Sequence, residues 1–280
     1  KMVAMMKDAA ALGGELFVMD DGWFGGKYQR NDDSKALGDW VTDRRKLPHG
    51  LNALADSARV ASVGFGLWLE PEMADISSEI YEKHPDWVLK ASRRDIVAGR
   101  GGSQVVLDFS NPKVRDYAVD VVDRILKENP GIEYIKWDSN SGIYMHGSQH
   151  LPKERQSHLY IDWHKGFEEV LKRVRERHPD IVMQACGGGG GRVNWGVLRY
   201  FDEFWTSDNT DPLQRIYMQW GTSHFYPAIA MGAHISASPN HQTRRSTPIK
   251  FRADVAMSGR LGIELQPKEM TEEERNVCRQ

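Results

Sequence analysis

The feature that most constrains this chain is an alternation. Short apolar runs of strand length recur along it, and longer stretches with helical spacing lie between most of them. The strand-like runs are Glu15–Asp21 (ELFVMDD), Gly64–Glu70 (GFGLWLE), Val105–Ser110 (VVLDFS) and Tyr134–Asp138 (YIKWD), followed by Ile181–Cys186 (IVMQAC), Glu203–Asp208 (EFWTSD), Ala228–Ser236 (AIAMGAHIS) and Leu261–Leu265 (LGIEL). Helical stretches cover Asn52–Ser62, Pro112–Lys127 and Lys153–His178. This alternation predicts an α/β fold with a parallel sheet covered by helices. Eight runs suffice to close a (β/α)8 TIM barrel. A doubly wound open sheet is the competing arrangement, but no GxGxxG follows the first strand.

Composition narrows the function classes. The chain has 280 residues, a length that suits one barrel. It carries 37 Lys plus Arg against 39 Asp plus Glu, a net charge of −2, so no polybasic nucleic-acid surface is expected. No apolar run reaches the ~18 residues a membrane span needs. The two cysteines, Cys186 and Cys278, cannot build a disulfide framework or a paired zinc site. The start KMVAMMKDAA reads as an amphipathic helix rather than a signal peptide, so the compartment is left open between a bacterial cytoplasm and periplasm. Opening inside a helix is the pattern expected of a piece of a longer protein.

The long irregular stretches, 22–51 and 139–152, directly follow strand ends, where α/β enzymes carry functional loops. Acidic residues gather at the same ends: Asp20 and Asp21, Glu70 and Glu72, Asp138, and Asp208. A single acid at a strand end is usually a helix cap or a solvated loop group. Four such ends beside Trp23, Trp68, Trp137 and Trp205 suggest a sugar pocket, with rings as stacking platforms and carboxylates for hydroxyls. By the two-residue period of a strand, Lys136 and Asp138 share one face and Trp137 the other. An ammonium beside Asp138 would keep that carboxylate ionised, as a nucleophile requires. A rim salt bridge without chemistry is the plainer alternative.

After Cys186 come Gly187–Gly191 and Arg192. No GK[ST] follows, so these glycines do not form a phosphate loop, and no cofactor is expected. They either leave backbone N–H groups open to a ligand or make a flexible strand-to-helix turn. Cys186 has no identifiable His or Asn partner and reads more naturally as a small packed residue than as a nucleophile. His146 and His150 are four apart but lack an HExxH acid, so no metal site is expected. The residues alone indicate acid–base chemistry on a polar, ring-shaped substrate and do not say which two carboxylates react.

As a set, the motifs resemble glycoside hydrolase family 36, the bacterial α-galactosidases. They are FVMDDGWFG, LGDWVTDRRKLPHGL, FGLWLEPEM, HPDWVL, VVLDFSNPKVRDY, YIKWDSN, CGGGGGRVNWGVL, FWTSDNTDPLQR and MGAHISASPNHQTRR, in family order over nearly all of residues 9–268. The resemblance implies a (β/α)8 catalytic barrel domain spanning 1–280, with the family's flanking N-terminal β-sandwich and C-terminal β domain absent. It implies Asp138 as nucleophile and Asp208 as acid/base. Asp20 and Asp21 match the pair that holds galactose hydroxyls. Trp68, Lys136, Asn140, Cys186, Gly188 and Gly189 match the wall of that subsite. Arg100, in GRGGSQ, matches an arginine of it on a different spacing.

Two departures follow. The family's first barrel strand, with a substrate-stacking Trp, would precede residue 1. Val105–Ser110 then becomes an accessory segment, against the eight-strand count above, and Asp138 and Asp208 fall on the fourth and sixth strands. KWDSNS also replaces the common KWDMNR. The implied reaction is retaining hydrolysis of terminal α-galactosides such as melibiose or raffinose, by a chain whose full-length form can be a homo-oligomer. The alternatives are an α-N-acetylgalactosaminidase or α-galactosyl transferase of the same family, an inactive or sugar-binding fragment, and a metal-dependent barrel hydrolase.

Overall fold

The computed structural model describes residues 1–280. In chain order its elements are α1 (Met2–Ala11), β1 (Leu16–Met19), α2 (Gly50–Val60), β2 (Gly64–Leu69), β3 (Met73–Asp75), α3 (Glu79–Lys83), β4 (Gln104–Val106), α4 (Pro112–Glu128) and β5 (Ile132–Trp137). Then follow α5 (Leu159–Arg177), β6 (Val182–Ala185), β7 (Glu203–Trp205), α6 (Pro212–Ser223), β8 (Met231–Ser236), α7 (Ile249–Ala256), β9 (Arg260–Glu264) and α8 (Glu272–Arg279).

Seven strands form one sheet in the order β1-β2-β5-β6-β7-β8-β9, every pair parallel. The spatial order never reverses, as it must in a doubly wound sheet. The eight-strand count is corrected here. Val105–Ser110 yields only β4, which pairs antiparallel with β3 in a separate two-stranded ribbon. This ribbon lies between β2 and α4 in the chain, so β5 rather than β4 is the parallel neighbour of β2. Residues 228–230 form a 3-10 turn before β8 rather than part of the strand.

The sheet curls. Arg275 on α8 lies 3.9 Å from Asp8 on α1, and Arg279 Nε donates to the Ala11 carbonyl at 3.3 Å, so the helices flanking opposite ends of the sheet touch. Inside the curl, the buried Glu203 of β7 accepts from Tyr134 of β5 and from Gln184 of β6 (2.6 Å), and pairs with Arg260 of β9. A buried carboxylate needs such donors on several sides. Here they come from three other strands, which ties the concave face together.

Helices cover the outer face for reasons visible locally. Asn111 caps α4 by accepting from the Lys113 amide at 3.0 Å, with Pro112 at the first helical position. Val114, Ala118, Val121, Val122 and Ile125 then bury one stripe of it. Trp163, Phe167, Val170, Leu171 and Val174 do the same for α5, which packs beside α4. No helix is long and apolar enough to cross a membrane.

Candidate active site

Because the strands are parallel, their C-terminal ends share one rim. β1, β2, β5 and β6 each stop one residue before a polar group: Asp20, Glu70, Asp138 and Cys186. Asp208 follows β7 by three residues.

Asp138 is buried at this rim and is held from both sides. Its Oδ2 accepts from the Trp68 indole at 2.9 Å and from the Asn140 amide at 2.7 Å, and its Oδ1 accepts from the Ser139 backbone N–H at 2.8 Å. Burial alone would raise its pKa. The indole and amide donors, with the charge of Lys136, outweigh burial and hold the carboxyl below its ordinary value. The expected direction is therefore met, but Lys136 is not the main cause. Its ammonium pairs instead with Asp20 at 2.7 Å. Burial opposes the charge on Lys136, and the Asp20 carboxylate overcomes it, so its pKa is raised.

Asp21, beside Asp20, is tied to a group that sequence reasoning overlooked. Arg30 is buried and spans two carboxylates, Asp21 at 2.7 Å and Asp75 at 3.0 Å. Arg100 does not contact Asp21 or Asp138. It pairs with Asp33 at 2.7 Å, although its charge is felt by Glu70 and Asp138. Asn140 lies close to the nucleophile candidate, and its backbone N–H also donates to Glu70.

The glycine run forms a tight loop between β6 and the Asp208 segment. Gly188 and Gly189 have φ of +55° and +86°, which glycine adopts at little cost. A Cβ on Gly190 would sit 2.5 Å from the Thr206 carbonyl, so the loop lies flat against the chain leading to Asp208. On the other side, Cys186 N donates to the Trp137 carbonyl at 2.8 Å. Cys186 and its glycines thus bridge the Asp138 and Asp208 strands. A cleft of about 340 Å³ opens just past the end of β5, with Ser139, Asn140, Gly187, Gly188 and Arg192 in its wall, and neither Asp138 nor Asp208 lines it. The Cys186 thiol is pushed up by burial and by the Asp138 charge, which removes it as a nucleophile at neutral pH.

The tryptophans were expected as stacking platforms. Trp23, Trp68, Trp137 and Trp205 are all buried, at 1–4% exposure, so none offers an open ring face. Three of them donate indole N–H groups to carboxylates instead: Trp68 to Asp138, Trp137 to Glu72 at 2.9 Å, and Trp205 to Asp208 at 3.0 Å. Trp23 donates to the Trp68 carbonyl at 2.9 Å. A buried indole needs an acceptor, and the strand-end acids provide it. Trp137 does point away from Lys136 and Asp138, packing edge-on against Phe167 and Phe201.

Glu70 and Glu72, the acids at the end of β2, are both fully buried. Burial and the nearby Asp138 push the Glu70 carboxyl up to about 8. Glu72 is raised by burial, against which the paired Arg192 and the Trp137 indole act. No group of three His, Cys, Asp or Glu residues is placed to hold a metal ion.

The arrangement offers an ionised, buried carboxylate and an exposed second carboxylate on the same rim, separated by one intervening strand. That pairing suits nucleophilic substitution with proton transfer. Comparison with known proteins agrees with it. The melibiase family model matches residues 1–280. The chain is 46% identical over 280 residues to alpha-galactosidase AgaA of Geobacillus stearothermophilus, covering 100% of this chain and 38% of that protein. Crystal structures of AgaA variants in complex with raffinose and with stachyose each superpose with a TM-score of 0.95 at 44% identity, over 99% of this chain and 38% of theirs. The chain thus spans well under half the length of these relatives. A match of this extent settles the family: the chain belongs to the melibiases, glycoside hydrolase family 36.

Proposed function

We propose that residues 1–280 are the catalytic domain of a retaining α-galactosidase that releases terminal α-linked galactose from oligosaccharides such as raffinose. The seven-stranded sheet is, on this reading, most of a (β/α)8 barrel, with the eighth strand fitting between the free edges of β1 and β9. The observation that carries the reading is the state of Asp138: a buried carboxylate with three donors, kept ionised on the rim it shares with Asp208.

In the first step an Asp138 oxygen attacks the anomeric carbon. The bond from that carbon to the leaving oxygen breaks, and Asp208 gives its proton to that oxygen. Asp208, now a carboxylate, next takes a proton from water. The hydroxyl attacks the same carbon, galactose leaves, and Asp138 is ionised again. Asp20 with Lys136, and Asp21 with Arg30, offer charged groups for the sugar hydroxyls. The backbone of Gly188 and Gly189 lets the ring approach closely.

Two facts about the relatives support this assignment. AgaA variants bind raffinose and stachyose. The aspartates replaced in those two variants are also as far apart in sequence as Asp138 and Asp208. The test is Asp138→Ala with azide. Turnover should be lost and then restored by azide, with β-galactosyl azide as product. Absence of rescue, or a product of α configuration, rejects Asp138 as nucleophile.

A further inference from the structure

Arg215 stands in an unusual place. It is the fourth residue of α6, near the positive end of a helix dipole, where a cation is disfavoured. It is also buried, at 2% exposure, and no carboxylate lies within ion-pair distance. Its donors go to peptide carbonyls instead. Nη2 reaches the Ser207 oxygen at 2.6 Å, Nε the Asn209 oxygen at 2.8 Å, and Nη1 the Gly232 oxygen at 3.2 Å. The guanidinium carbon lies 4.6 Å from the centre of the Trp205 ring. Burial lowers its pKa to about 10, with Glu264 and Asp208 offsetting part of that, so the group stays cationic at neutral pH.

Three of these four contacts converge on Asp208, and the fourth, to Gly232, ties the guanidinium to β8. Ser207 and Asn209 are its two chain neighbours, and Trp205 is the residue whose indole N–H donates to its Oδ1 at 3.0 Å. Arg215 is itself anchored from behind. Gln219, one turn further along α6, approaches Nη1 at 3.4 Å and donates to the Val255 carbonyl of α7 at 2.9 Å. We propose that Arg215 is a positioning residue for Asp208: its planar guanidinium holds the carbonyls of the residues on both sides of that carboxylate and lies against the indole that holds it. A lysine cannot replace it, because a single ammonium has neither the fork to span two carbonyls nor a flat face to stack on Trp205.

The inference rests on Asp208 being the acid/base, and the experiment separates the two ideas. Intact protein is assayed with raffinose, whose leaving oxygen needs a proton, and with 2,4-dinitrophenyl α-galactoside, whose leaving phenolate does not. Asp208→Asn serves as the reference. Arg215→Lys should behave as a milder version of it. On raffinose, kcat/KM should fall roughly 100-fold, the cost of displacing a reacting group by about 1 Å. On the dinitrophenyl substrate it should stay within about threefold, since proton transfer no longer limits that step.

Equal losses on both substrates, or no loss on either, overturn the role of Arg215 provided Asp208→Asn shows the split. If Asp208→Asn shows no split, the acid/base reading itself fails, and this inference fails with it. Should Arg215→Lys lose its thermal transition, Trp205→Phe takes its place. It keeps a ring under the guanidinium, removes the indole N–H, and is judged by the same two substrates.

Discussion

A Cβ atom on Gly189 would lie 2.9 Å from the backbone nitrogen of Asp208, so these two residues touch with no room for a side chain between them. Gly189 also sits at φ +86°. Gly188, its neighbour, has φ +55° and open space where a Cβ would go. The pair forms a natural control. Gly189→Ala must push the Asp208 segment outward as well as bear a left-handed backbone. We expect it to lower kcat roughly 100-fold. Gly188→Ala should cost backbone strain of about 1–2 kcal/mol of stability and raise KM where its Cβ faces the sugar, without moving the Asp208 segment. Steady-state kinetics and thermal melting on both variants check this. Equal kcat values in the two would show that contact with Asp208 is not what matters.

Glu70 provides a pH signature. Its carboxyl ordinarily titrates at 4.5 and is raised to about 8 by burial and by Asp138, while the Asn140 N–H and Arg100 pull the other way. The folded chain therefore keeps a proton that the unfolded chain releases above pH 4.5. Between about pH 4.5 and 8 the folded state binds more protons, so this group's contribution to stability declines as pH rises. Glu70→Gln keeps the acceptor for Asn140 and removes the titration. The variant's Tm, compared with the parent's, should gain steadily across that window, by roughly 5 °C or more at its upper end. A difference that is flat with pH would mean Glu70 titrates normally.

Arg30 is the buried partner of Asp75, whose own carboxyl burial raises to about 6. Removing the guanidinium leaves Asp75 in the interior without its counter-charge, and a broken buried pair costs about 3–5 kcal/mol. Arg30→Ala should lower Tm by roughly 10 °C. It should also raise KM, because Asp21 loses its anchor. Arg30→Lys should recover little of either, since one ammonium cannot bridge Asp21 and Asp75 as the fork does. Chemical denaturation and kinetics of both variants provide the readout.

Cys186 should be inert. It is 2% exposed, and burial together with the Asp138 charge raises its thiol above the ordinary range. Iodoacetamide at pH 8 should leave it unlabelled in the native protein and label it fully in denaturant, as peptide mass mapping will show. Rapid native labelling would require a thiolate that this environment does not support.

How much of this was legible in the sequence differs by element. Seven of the eight strand-like runs became strands of the main sheet; the continuous apolar run GFGLWL is buried on both faces as a central strand, whereas the edge strands β1 and β9 are only partly buried. Val105–Ser110 has the same composition and became part of a ribbon. Only pairing decides that, and pairing depends on which strand edges are free, which composition does not encode. The acids at strand ends were visible in the same way, since an acid just after an apolar run stands at the rim of any parallel sheet.

The sequence by itself determined the strand–helix alternation, the carboxylates at the strand ends and, through the two-residue period, that Lys136 and Asp138 share a face. It could not assign partners. Lys136 turned to Asp20 rather than Asp138, Arg100 to Asp33, and the tryptophans supplied N–H groups where open rings were expected. Arg215 lies seven residues after Asp208 with nothing in the spacing to connect them. These outcomes are fixed by three-dimensional packing, because a buried donor goes to whichever acceptor the fold brings within about 3 Å, and such acceptors are often more than a hundred residues away in sequence.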